Sequence, residues 1–355
     1  MNGFLRRGSY ENFLHLPFII ALFFVQNCAP SMLSTQCSQY EQSTGMFLPN
    51  NLGDICSPSL IPTNIIISFM NTIFLQENDN MIFNSNTMNL HFKDALAYLS
   101  FREFEKLGFV NHAFSTRLGG VSTGEFNSMN MSFGRGDTDE NVHENYRRLC
   151  EAIGTDYNDL VASAQDHKTF VRRVTKDDRG IGIYRPRDME SVDGLITNEK
   201  GVALVTYFAD CTPVLLADTK NHAIGSCHAG WRGTVGKIAG ITVRRMCEEF
   251  GTDPADIKAA IGPAISKCCY EVDEPVARRF MELGLDTGKI VFPKDNGKYV
   301  IDLLETNKQI LMSAGVKESN ITVSDVCTRC NHDLIWSHRA TNGRRGGMCA
   351  IIEIV

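Results

Sequence analysis

A polar turn between two short apolar runs constrains the fold of this chain more than any other feature. Residues 214–217 and 223–227 are the apolar runs, and Asp-Thr-Lys-Asn-His separates them. This pattern predicts two antiparallel strands that form a β-hairpin. Residues at equal distances from a hairpin turn lie opposite each other. Because Cys211 and His228 lie at nearly equal distances from the middle of the turn, we expect them to face each other at the open end of the hairpin.

A third residue of similar chemistry is His167, in a Gln-Asp-His sequence between two other strand-like runs. Spacing alone does not place it beside the hairpin. If it lies there, two imidazoles and one thiolate form a three-ligand site with an open fourth position, the arrangement of catalytic zinc. The same ligands also suit copper. Gly230 and Gly233 would leave room for a ligand. Taken singly, such residues are more often a packed cysteine or a hydrogen-bonded histidine, so the prediction depends on all three meeting.

The charge and hydropathy of the chain argue against two classes of partner. Lys and Arg number 35 against 41 Asp and Glu, which gives a formal net charge of −6. Nucleic-acid binding usually shows a basic surplus instead. No apolar run reaches the roughly 18–20 residues that a membrane-spanning helix needs. We therefore expect no nucleic acid and no membrane as partner, but a small molecule or another protein, and the sequence identifies no particular protein partner.

Nine of the twelve cysteines lie after residue 91. Their spacing is not that of a small disulfide-stapled domain, so we predict reduced thiols and a cytoplasmic protein. Cys327 and Cys330 have the C-x-x-C spacing of a zinc finger. No second Cys or His pair follows at a suitable distance, so we do not expect a structural zinc ion there. Packing residues are the simplest interpretation of four others: Cys227, Cys247, Cys268 and Cys269.

The first 90 residues differ from the rest of the chain. They contain twelve asparagines, two arginines and no lysine, and their apolar residues show no helical or strand period. The two arginines precede the apolar run 16–25 as in a secretory signal, but the Gln-Asn-Cys that follows lacks the small-x-small cleavage pattern. We predict a poorly ordered extension of unknown role over residues 1–90, without a functional signal, and one enzyme domain over residues 91–355.

Regular α and β patterns occur throughout residues 91–355. Two capping boxes, Asp137 to Glu140 and Asp302 to Glu305, predict helices that end at Gly154 and Gly315. Apolar residues at helical spacing predict a third helix over 235–250. Besides the hairpin, strand-like runs occur at 160–164, 170–174 and 202–208.

Several motifs in this region resemble one known family. They are HAFSTRLGGVSTGEFNSMNMSFGRGD at 112–137, QDH at 165–167, DGLIT at 193–197, ADCTPVLL at 209–216, HAGWRG at 228–233, IGPAISKCCYEV at 261–272 and CTRC at 327–330. Together they resemble the laccase-domain or polyphenol-oxidase family over nearly all of residues 91–355. The C-terminal SHRATNGRRGG at 337–347 departs from the family pattern. The resemblance therefore assigns no role to Arg339 or Arg344.

The resemblance implies a fold, two activities and a site. The fold would be α+β: a single domain of mixed β-sheets packed together, with helices on the outside in α/β/β/α layers. The activities would be phosphorolysis of adenosine, inosine, guanosine and methylthioadenosine to base and ribose 1-phosphate, and deamination of adenosine. The zinc ligands and catalytic residues would be His167, Cys211 and His228. The substrate-binding residues would be Arg117, Asn130, Asp210 and Arg232.

The two reactions need different groups. For deamination, zinc would activate water for attack on C6 of adenosine, and a carboxylate would have to shuttle protons. Asp193 and Asp210 are the candidates, and a structural role is equally open for each. Phosphorolysis needs cations that bind phosphate, and Arg117 and Arg232 are the ones inside matched motifs.

Four-copper laccase chemistry is excluded despite the name of the family. It needs on the order of ten histidines, largely in His-x-His pairs, whereas this chain has nine histidines and no such pair. Three alternatives to a zinc nucleoside enzyme stay open. A cysteine hydrolase or deamidase would use Cys211 as nucleophile and His228 as base, and metal content would distinguish it. The others are weak copper-dependent phenol oxidation and a non-catalytic binding module.

Overall fold

The computed structural model describes residues 83–355. Its strands are β1 (Met88–Lys93), β2 (Leu96–Phe101), β3 (Val110–Ser115), β4 (Leu160–Ala162), β5 (Phe170–Arg173), β6 (Val192–Thr197), β7 (Ala203–Phe208), β8 (Thr212–Asp218), β9 (Ala223–Ala229), β10 (Ile257–Ile261), β11 (Glu271–Val272), β12 (Val291–Pro293), β13 (Tyr299–Ile301), β14 (Ile321–Val323) and β15 (Met348–Ile354). Its α-helices are α1 (Arg102–Glu105), α2 (Asp139–Ile153), α3 (Trp231–Val235), α4 (Ile238–Phe250), α5 (Glu274–Met281), α6 (Leu303–Ser313) and α7 (His338–Thr341).

The strands form two large sheets and one small sheet. The first large sheet has the order β1-β2-β3-β15-β7-β4, and the second has the order β14-β10-β8-β9-β6-β5. The small sheet consists of β11, β13 and β12. Both large sheets are mixed, because β4 pairs with β7 and β10 pairs with β14 in parallel, whereas β8 and β9 pair antiparallel. The last strand, β15, lies inside the first sheet between β3 and β7. This sheet is therefore complete only when the C-terminal strand has paired with both neighbours.

Strand β9 shows how the layers stack. The Ser226 hydroxyl lies 2.8 Å from the Thr206 hydroxyl of β7, so this face of β9 meets the first sheet. The neighbouring residue in a strand points to the opposite face, and a Cβ on Gly225 would lie 3.1 Å from Met246 Sδ in α4. Helix α4 therefore covers the outer face of the second sheet, and α2 packs on β2 and β3 of the first sheet. These layers confirm the predicted α+β fold.

The hairpin is held rigidly by apolar packing. Val214 and Leu216 of β8 lie in one buried cluster with Ile238 and Val243 of α4. Burying one such side chain contributes about 1.5–3 kcal/mol relative to leaving it in water. This packing therefore fixes the position of the residues at the open end of the hairpin, just before β8 and just after β9.

The capped helices form where the sequence predicts them. The helix predicted from the first capping box is α2, although its N-cap is Thr138 rather than Asp137: the Thr138 side chain accepts the N–H of Asn141. Gly154 ends this helix with a left-handed φ of 74°, as predicted. At the second box the predicted N-cap is confirmed, since the Asp302 side chain accepts the N–H of Glu305 at the start of α6, but the Asp302 N–H donates to Ile290 O instead of to Glu305.

The helix predicted over 235–250 is broken near its start. Lys237 has a left-handed φ of 59°, which a continuous α-helix does not contain. The chain therefore forms the short helix α3 directly after β9 and begins α4 at Ile238. Apolar periodicity does not reveal such a break, because inward-facing residues recur on both sides of it.

The hairpin exists, but its register differs from the prediction by two residues. His228 pairs with Pro213, so Cys211 does not lie opposite His228. The reason is Asp218, which belongs to β8 and pairs with Ala223, while its carboxylate accepts the N–H groups of Lys220 and of the residue after it. This moves the centre of the turn toward the C-terminus. Cys211 stays near His228 because it directly precedes β8.

The predictions for the N-terminal extension concern residues that lie mostly outside the described part of the chain. This holds for the apolar run 16–25 and for the expected poor order of residues 1–82. Strand β1 begins at Met88, whose side chain is fully buried. Within residues 83–355, no helix combines the length and the apolar character that crossing a membrane requires.

Three residues before β1 are tied to the C-terminal half of the protein. The carboxylate of Asp325 accepts hydrogen bonds from the Ser85 hydroxyl, from Asn86 N at 2.7 Å and from the Thr87 hydroxyl at 2.9 Å. These contacts join the segment before the first sheet to the segment after β14. Residues 85–87 therefore belong to the folded core.

We expect a chain that begins at Met81 to fold cooperatively, because it keeps all three contacts with Asp325. A chain that begins at Met88 should be less stable by about 2 kcal/mol or more, since even one hydrogen bond to a charged group contributes about 1.5–3 kcal/mol and this chain loses all three. Urea unfolding of both chains measures the difference. Equal stabilities would show that the contacts contribute nothing, and an insoluble Met81 chain would show that the core needs residues further upstream.

Candidate active site

Two sheets bring His167, Cys211 and His228 together. His167 lies in the segment that leaves β4 of the first sheet and enters β5 of the second, Cys211 precedes β8, and His228 lies in β9. Their ligand atoms all lie within 4.8 Å of one another. The two imidazole centroids are 4.8 Å apart, with ring planes at 78°. His228 is buried and His167 is exposed, so the cluster opens to solvent on the side of His167.

The segment that carries His167 is fixed by its neighbour Gln165. The Gln165 side chain donates to Tyr207 O at 2.7 Å and accepts from Tyr207 N at 2.5 Å, as a paired strand would. His167 itself has a φ of 67°. Positive φ is uncommon for residues other than glycine and persists where surrounding contacts enforce it. The backbone is therefore bent at the residue that presents the imidazole.

Asp193 of β6 provides those contacts. Its side chain is fully buried, and its carboxylate accepts the N–H groups of Asp166 at 3.2 Å, His167 at 3.1 Å and Lys168 at 2.9 Å. His228 Nδ1 lies 2.9 Å from the same carboxylate. Because an ionised carboxylate only accepts hydrogen bonds, Nδ1 is the donor and Nε2 is left as the ligand atom. Asp193 thus orients both histidines, as carboxylates behind metal-bound histidines do.

Gly230 keeps the space between the three side chains open. A Cβ at this position would lie 2.9 Å from His167 Cδ2, 3.0 Å from Cys211 Sγ and 3.4 Å from His228 Cε1. Even an alanine would therefore crowd the centre of the cluster. Two imidazoles, one thiolate and a cleared centre match the donor set of a catalytic zinc site with an open position.

Cys211 and His228 shift each other's pKa in opposite directions. Burial alone would raise the pKa of Cys211, but the charge of His228 and hydrogen bonds from both histidines outweigh it and lower this pKa to about 6. Burial would likewise lower the pKa of His228, but the Cys211 thiolate and Asp193 raise it to about 9. Without metal the two form a thiolate–imidazolium pair. A metal ion binds the thiolate and displaces the imidazole proton.

Replacing Asp193 by alanine should both destabilise the protein and weaken the metal site. Removing one partner of a buried ion pair costs about 3–5 kcal/mol, and loss of a carboxylate behind a ligand lowers metal affinity about 10–100-fold. Urea unfolding and zinc competition with a chelator measure the two effects. Asp193→Asn, which keeps one acceptor oxygen, should lose less stability. An alanine variant as stable as the wild type would contradict the role of this carboxylate.

The second acidic candidate, Asp210, is held differently. It directly precedes Cys211 and has a left-handed φ of 80°. Its two carboxylate oxygens each accept one hydrogen bond, from Thr328 Oγ1 and from Arg339 N, both at 2.6 Å. A carboxylate oxygen accepts about two hydrogen bonds, so Asp210 keeps acceptor positions. In Asp193, by contrast, each carboxylate oxygen accepts two hydrogen bonds.

Arg232 lies in α3 and is exposed, with its guanidinium carbon 4.3 Å from the centroid of the Trp231 ring. Its charge reaches Tyr270, a residue that sequence reasoning did not single out. Burial and the neighbouring Cys211 raise the pKa of Tyr270, whereas Arg339 and Arg232 act in the opposite direction. The Arg339 guanidinium carbon lies 5.5 Å from the centroid of the Tyr270 ring, and Cys211 and Arg232 are close enough to shift the pKa of Tyr270.

A further cation near the site, Arg345, was also missed. Burial, followed by the like charge of Arg135, lowers the pKa of Arg345 to about 10, while Asp210 and Cys211 act in the opposite direction. Within residues 83–355, Arg345 Nε is a buried donor without a hydrogen-bond partner. Burial and the charges of Arg345 and Arg135 also lower the pKa of His338. Such a group of cations, with an unpaired buried donor, is suited to an anion.

The remaining two predicted substrate residues, Arg117 and Asn130, have their polar groups engaged within the protein. The Arg117 guanidinium is 4.0 Å from the Trp336 ring centroid and donates to His332 O at 2.9 Å. The Asn130 amide is fully used within the protein: it accepts from Ser132 N and Gly347 N and donates to Ser132 O and the Asp137 carboxylate. Asn130 thus supports the backbone two residues after Arg345, and direct substrate contact by either residue stays a prediction.

Comparison with known proteins adds the family. A family model described as multi-copper polyphenol oxidoreductase laccase matches residues 111–355. The chain is 37% identical over 240 residues to Purine nucleoside phosphorylase YlmD of Bacillus subtilis, which covers 67% of this chain and 86% of that protein. It is 35% identical over 245 residues to Adenosine deaminase RL5 of an unknown prokaryotic organism, covering 67% of this chain and 93% of that protein.

The fold is also found among solved structures. The crystal structure of the hypothetical protein YfiH from Bacillus licheniformis matches with a TM-score of 0.71 at 34% sequence identity, covering 75% of this chain and 99% of that one. The matched family region contains His167, Cys211, His228 and the strands that carry them. The family model matches most of the chain, and relatives above 30% identity match it over most of their own length. This protein therefore belongs to the multi-copper polyphenol oxidoreductase laccase family.

Proposed function

We propose that this protein is a purine nucleoside phosphorylase that also deaminates adenosine, with zinc at His167, Cys211 and His228. The observation that carries the proposal is an open three-ligand cluster within electrostatic reach of a group of arginines. Relatives named as a purine nucleoside phosphorylase and as an adenosine deaminase support it. The proposed substrates are adenosine, inosine, guanosine and methylthioadenosine. None of the nine cysteines in residues 83–355 forms a disulfide, which supports a reducing, cytoplasmic compartment.

Zinc at these three side chains would supply a Lewis acid that activates water or polarises the substrate. The protein's own carboxylates then have separate tasks. Asp193 holds the backbone of the His167 segment and the imidazole of His228, and it has no acceptor position left for a substrate proton. Asp210 keeps free acceptor positions next to Cys211. We therefore assign proton transfer during deamination to Asp210, since zinc deaminases use a carboxylate for this step.

Phosphorolysis requires the protein to hold a doubly charged phosphate beside the ribose. Arginine offsets the cost of removing phosphate from water, because its planar guanidinium forms two parallel charge-assisted hydrogen bonds. Arg345 meets this need best, since it is partly buried and its buried Nε lacks a partner in the described part of the chain. Arg232 is a second donor from the α3 side. Arg117 is the weakest of the candidates because its guanidinium already donates to backbone carbonyls.

Inosine distinguishes phosphorolysis from hydrolysis. We expect the purified protein to convert inosine to hypoxanthine and ribose 1-phosphate only when phosphate is present. Adenosine should yield inosine without phosphate, because deamination uses water. Chromatography of the base and sugar products measures both reactions. If free ribose forms at the same rate in phosphate-free buffer, the protein is a nucleoside hydrolase and not a phosphorylase.

One observation also favours a cysteine hydrolase or deamidase. The Cys211 thiolate and the His228 imidazolium form the charge pair that activates a cysteine nucleophile. Elemental analysis of protein purified without added metal decides between the two functions. Stoichiometric zinc supports the nucleoside enzyme, whereas metal-free protein that stays active supports the hydrolase. Copper in place of zinc would instead favour the weak phenol oxidase.

A further inference from the structure

Two pairs of cysteines outside the candidate active site meet in space. Cys268 and Cys269 follow β10, and Cys327 and Cys330 follow β14. Because β10 and β14 are parallel neighbours, both pairs leave the second sheet at the same edge. A bridge between Ala264 and Cys327 extends this pairing into the two loops. The parallel pairing thus supplies the second pair of thiols that sequence spacing around C-x-x-C did not contain.

The four sulfur atoms have the separations of a tetrahedral metal site. All four lie within 4.8 Å of one another. Cys268 Sγ is 3.6 Å from Cys330 Sγ and from Cys269 Sγ, and Cys269 Sγ is 3.5 Å from Cys330 Sγ. Four sulfurs at the zinc–sulfur distance of about 2.3 Å stand about 3.8 Å apart in a tetrahedron. A disulfide would bring two of them to about 2.05 Å.

The surroundings suit thiolates rather than packed thiols. Cys268 and Cys330 are exposed, which contradicts the interpretation of Cys268 as a packing residue, whereas Cys269 is partly buried against a core cluster. The N–H of Ser266 points at Cys327 Sγ, 3.4 Å away, as backbone donors to metal-bound sulfur do. Two cations, Lys267 and Arg329, are next to these cysteines in the sequence, and the Lys267 ammonium lies 3.4 Å from the Asp302 carboxylate.

We propose that Cys268, Cys269, Cys327 and Cys330 bind a second zinc ion, with a structural role. Four thiolates leave no open position, which is the arrangement of structural rather than catalytic zinc. The proposal does not depend on which reaction the protein catalyses.

This ion would hold one wall of the active site. Thr328, next to Cys327, donates to the Asp210 carboxylate, and the N–H of Ile265 donates to the Asp210 carbonyl. Asp210 directly precedes Cys211. Zinc that ties the two loops together therefore fixes the backbone from which Cys211 projects.

Zinc content of the full-length protein and its variants tests the proposal. We expect about two zinc ions per wild-type chain and about one in either Cys211→Ser or Cys330→Ser, with none in the double variant. Cys330 is exposed, so its replacement by serine leaves the core intact. Cys247→Ser, at a partly buried thiol outside both clusters, is the matched control and should keep both ions.

X-ray absorption at the zinc edge gives a readout that needs no variant of the four cysteines. Wild-type protein should show about 2.5 sulfur ligands per zinc at about 2.3 Å, and Cys211→Ser should show about four sulfurs and no nitrogen. One sulfur per zinc in the wild type would overturn the proposal. So would zinc content unchanged by Cys330→Ser, iron in place of the second zinc, or a disulfide among these cysteines in peptide maps of the purified protein.

Discussion

Replacing Cys211 by serine is expected to remove one zinc ion per chain and to lower the turnover of purine nucleosides by about 10³-fold or more. The serine hydroxyl is not ionised at neutral pH and is a poor zinc ligand. A metal ion contributes several kcal/mol of transition-state stabilisation, and each 1.36 kcal/mol corresponds to a factor of ten in rate. His228→Ala should have the same effect, since it removes the buried ligand from the same cluster.

The protein should remain folded in both variants, because the hairpin is held by its own apolar packing. Metal analysis, product chromatography and thermal unfolding measure zinc, activity and stability separately. Cys247→Ser controls for the loss of a thiol as such, since this residue lies outside the cluster. Folded Cys211→Ser protein that keeps its zinc would place the metal elsewhere. If the wild type is active without metal and the Cys211→Ser variant is inactive, Cys211 is instead the nucleophile of a hydrolase.

Replacing Arg345 by methionine is expected to separate the two reactions of the proposed enzyme. Inosine phosphorolysis should fall by about 10²–10³-fold, mainly through a higher KM for phosphate, since one fixed donor to a developing or bound oxyanion contributes about that much. Methionine has a similar length and is apolar, so the partly buried position stays filled. Zinc content and adenosine deamination should change little, because neither requires a bound anion.

The neighbouring Arg344 provides the control. It is exposed, and its contact is an ion pair with Glu125 at 3.4 Å on the surface. Arg344→Met removes the same charge from the same loop and should leave phosphate use unchanged. If the two variants lose phosphorolysis equally, net charge is responsible and Arg345 has no specific role. If neither loses it, the phosphate lies at another cation, with Arg232 as the next to replace.

The histidines of the described part support a single small metal centre better than the four-copper chemistry in the family's name. His112 is buried and accepts a hydrogen bond from the backbone N–H of Phe101, and burial lowers its pKa to about 4. His222 stacks on Phe109. In residues 83–355, His167 and His228 are the histidines that share a potential metal cluster. The family name therefore does not transfer an oxidase mechanism to this chain.

Local structure was predictable because its determinants are local. Helix signals such as the Asp302 cap and the Gly154 stop act within one helical turn, and the two hairpin strands are separated by a few polar residues. The errors have local physical causes as well. Asp218 extends β8 by accepting N–H groups of the turn, and Lys237 breaks a helix with a left-handed φ. Neither effect changes the apolar pattern that the predictions used.

The candidate site was predictable only in part because its members come from distant strands. The family motifs pointed to His167, whose position follows from a crossing between two sheets that spacing does not encode. Asp193 was a candidate for proton transfer, and only its four hydrogen bonds reveal a structural task. Arg345 looks like any surface arginine in the sequence. Its suitability as an anion-binding residue depends on its burial and on charges contributed by other segments.

The double attachment of Asp193 has a consequence for how this protein can change by mutation. One carboxylate serves both the turn that carries His167 and the strand that carries His228. Residues that share a hydrogen-bond partner show interaction energies of about 0.5–3 kcal/mol in double-mutant cycles. Substitutions in the two segments will therefore be epistatic, and the effect of one cannot be inferred from its effect in the wild-type background. Adapting the site to another metal or substrate would require paired changes around Asp193 rather than successive independent ones.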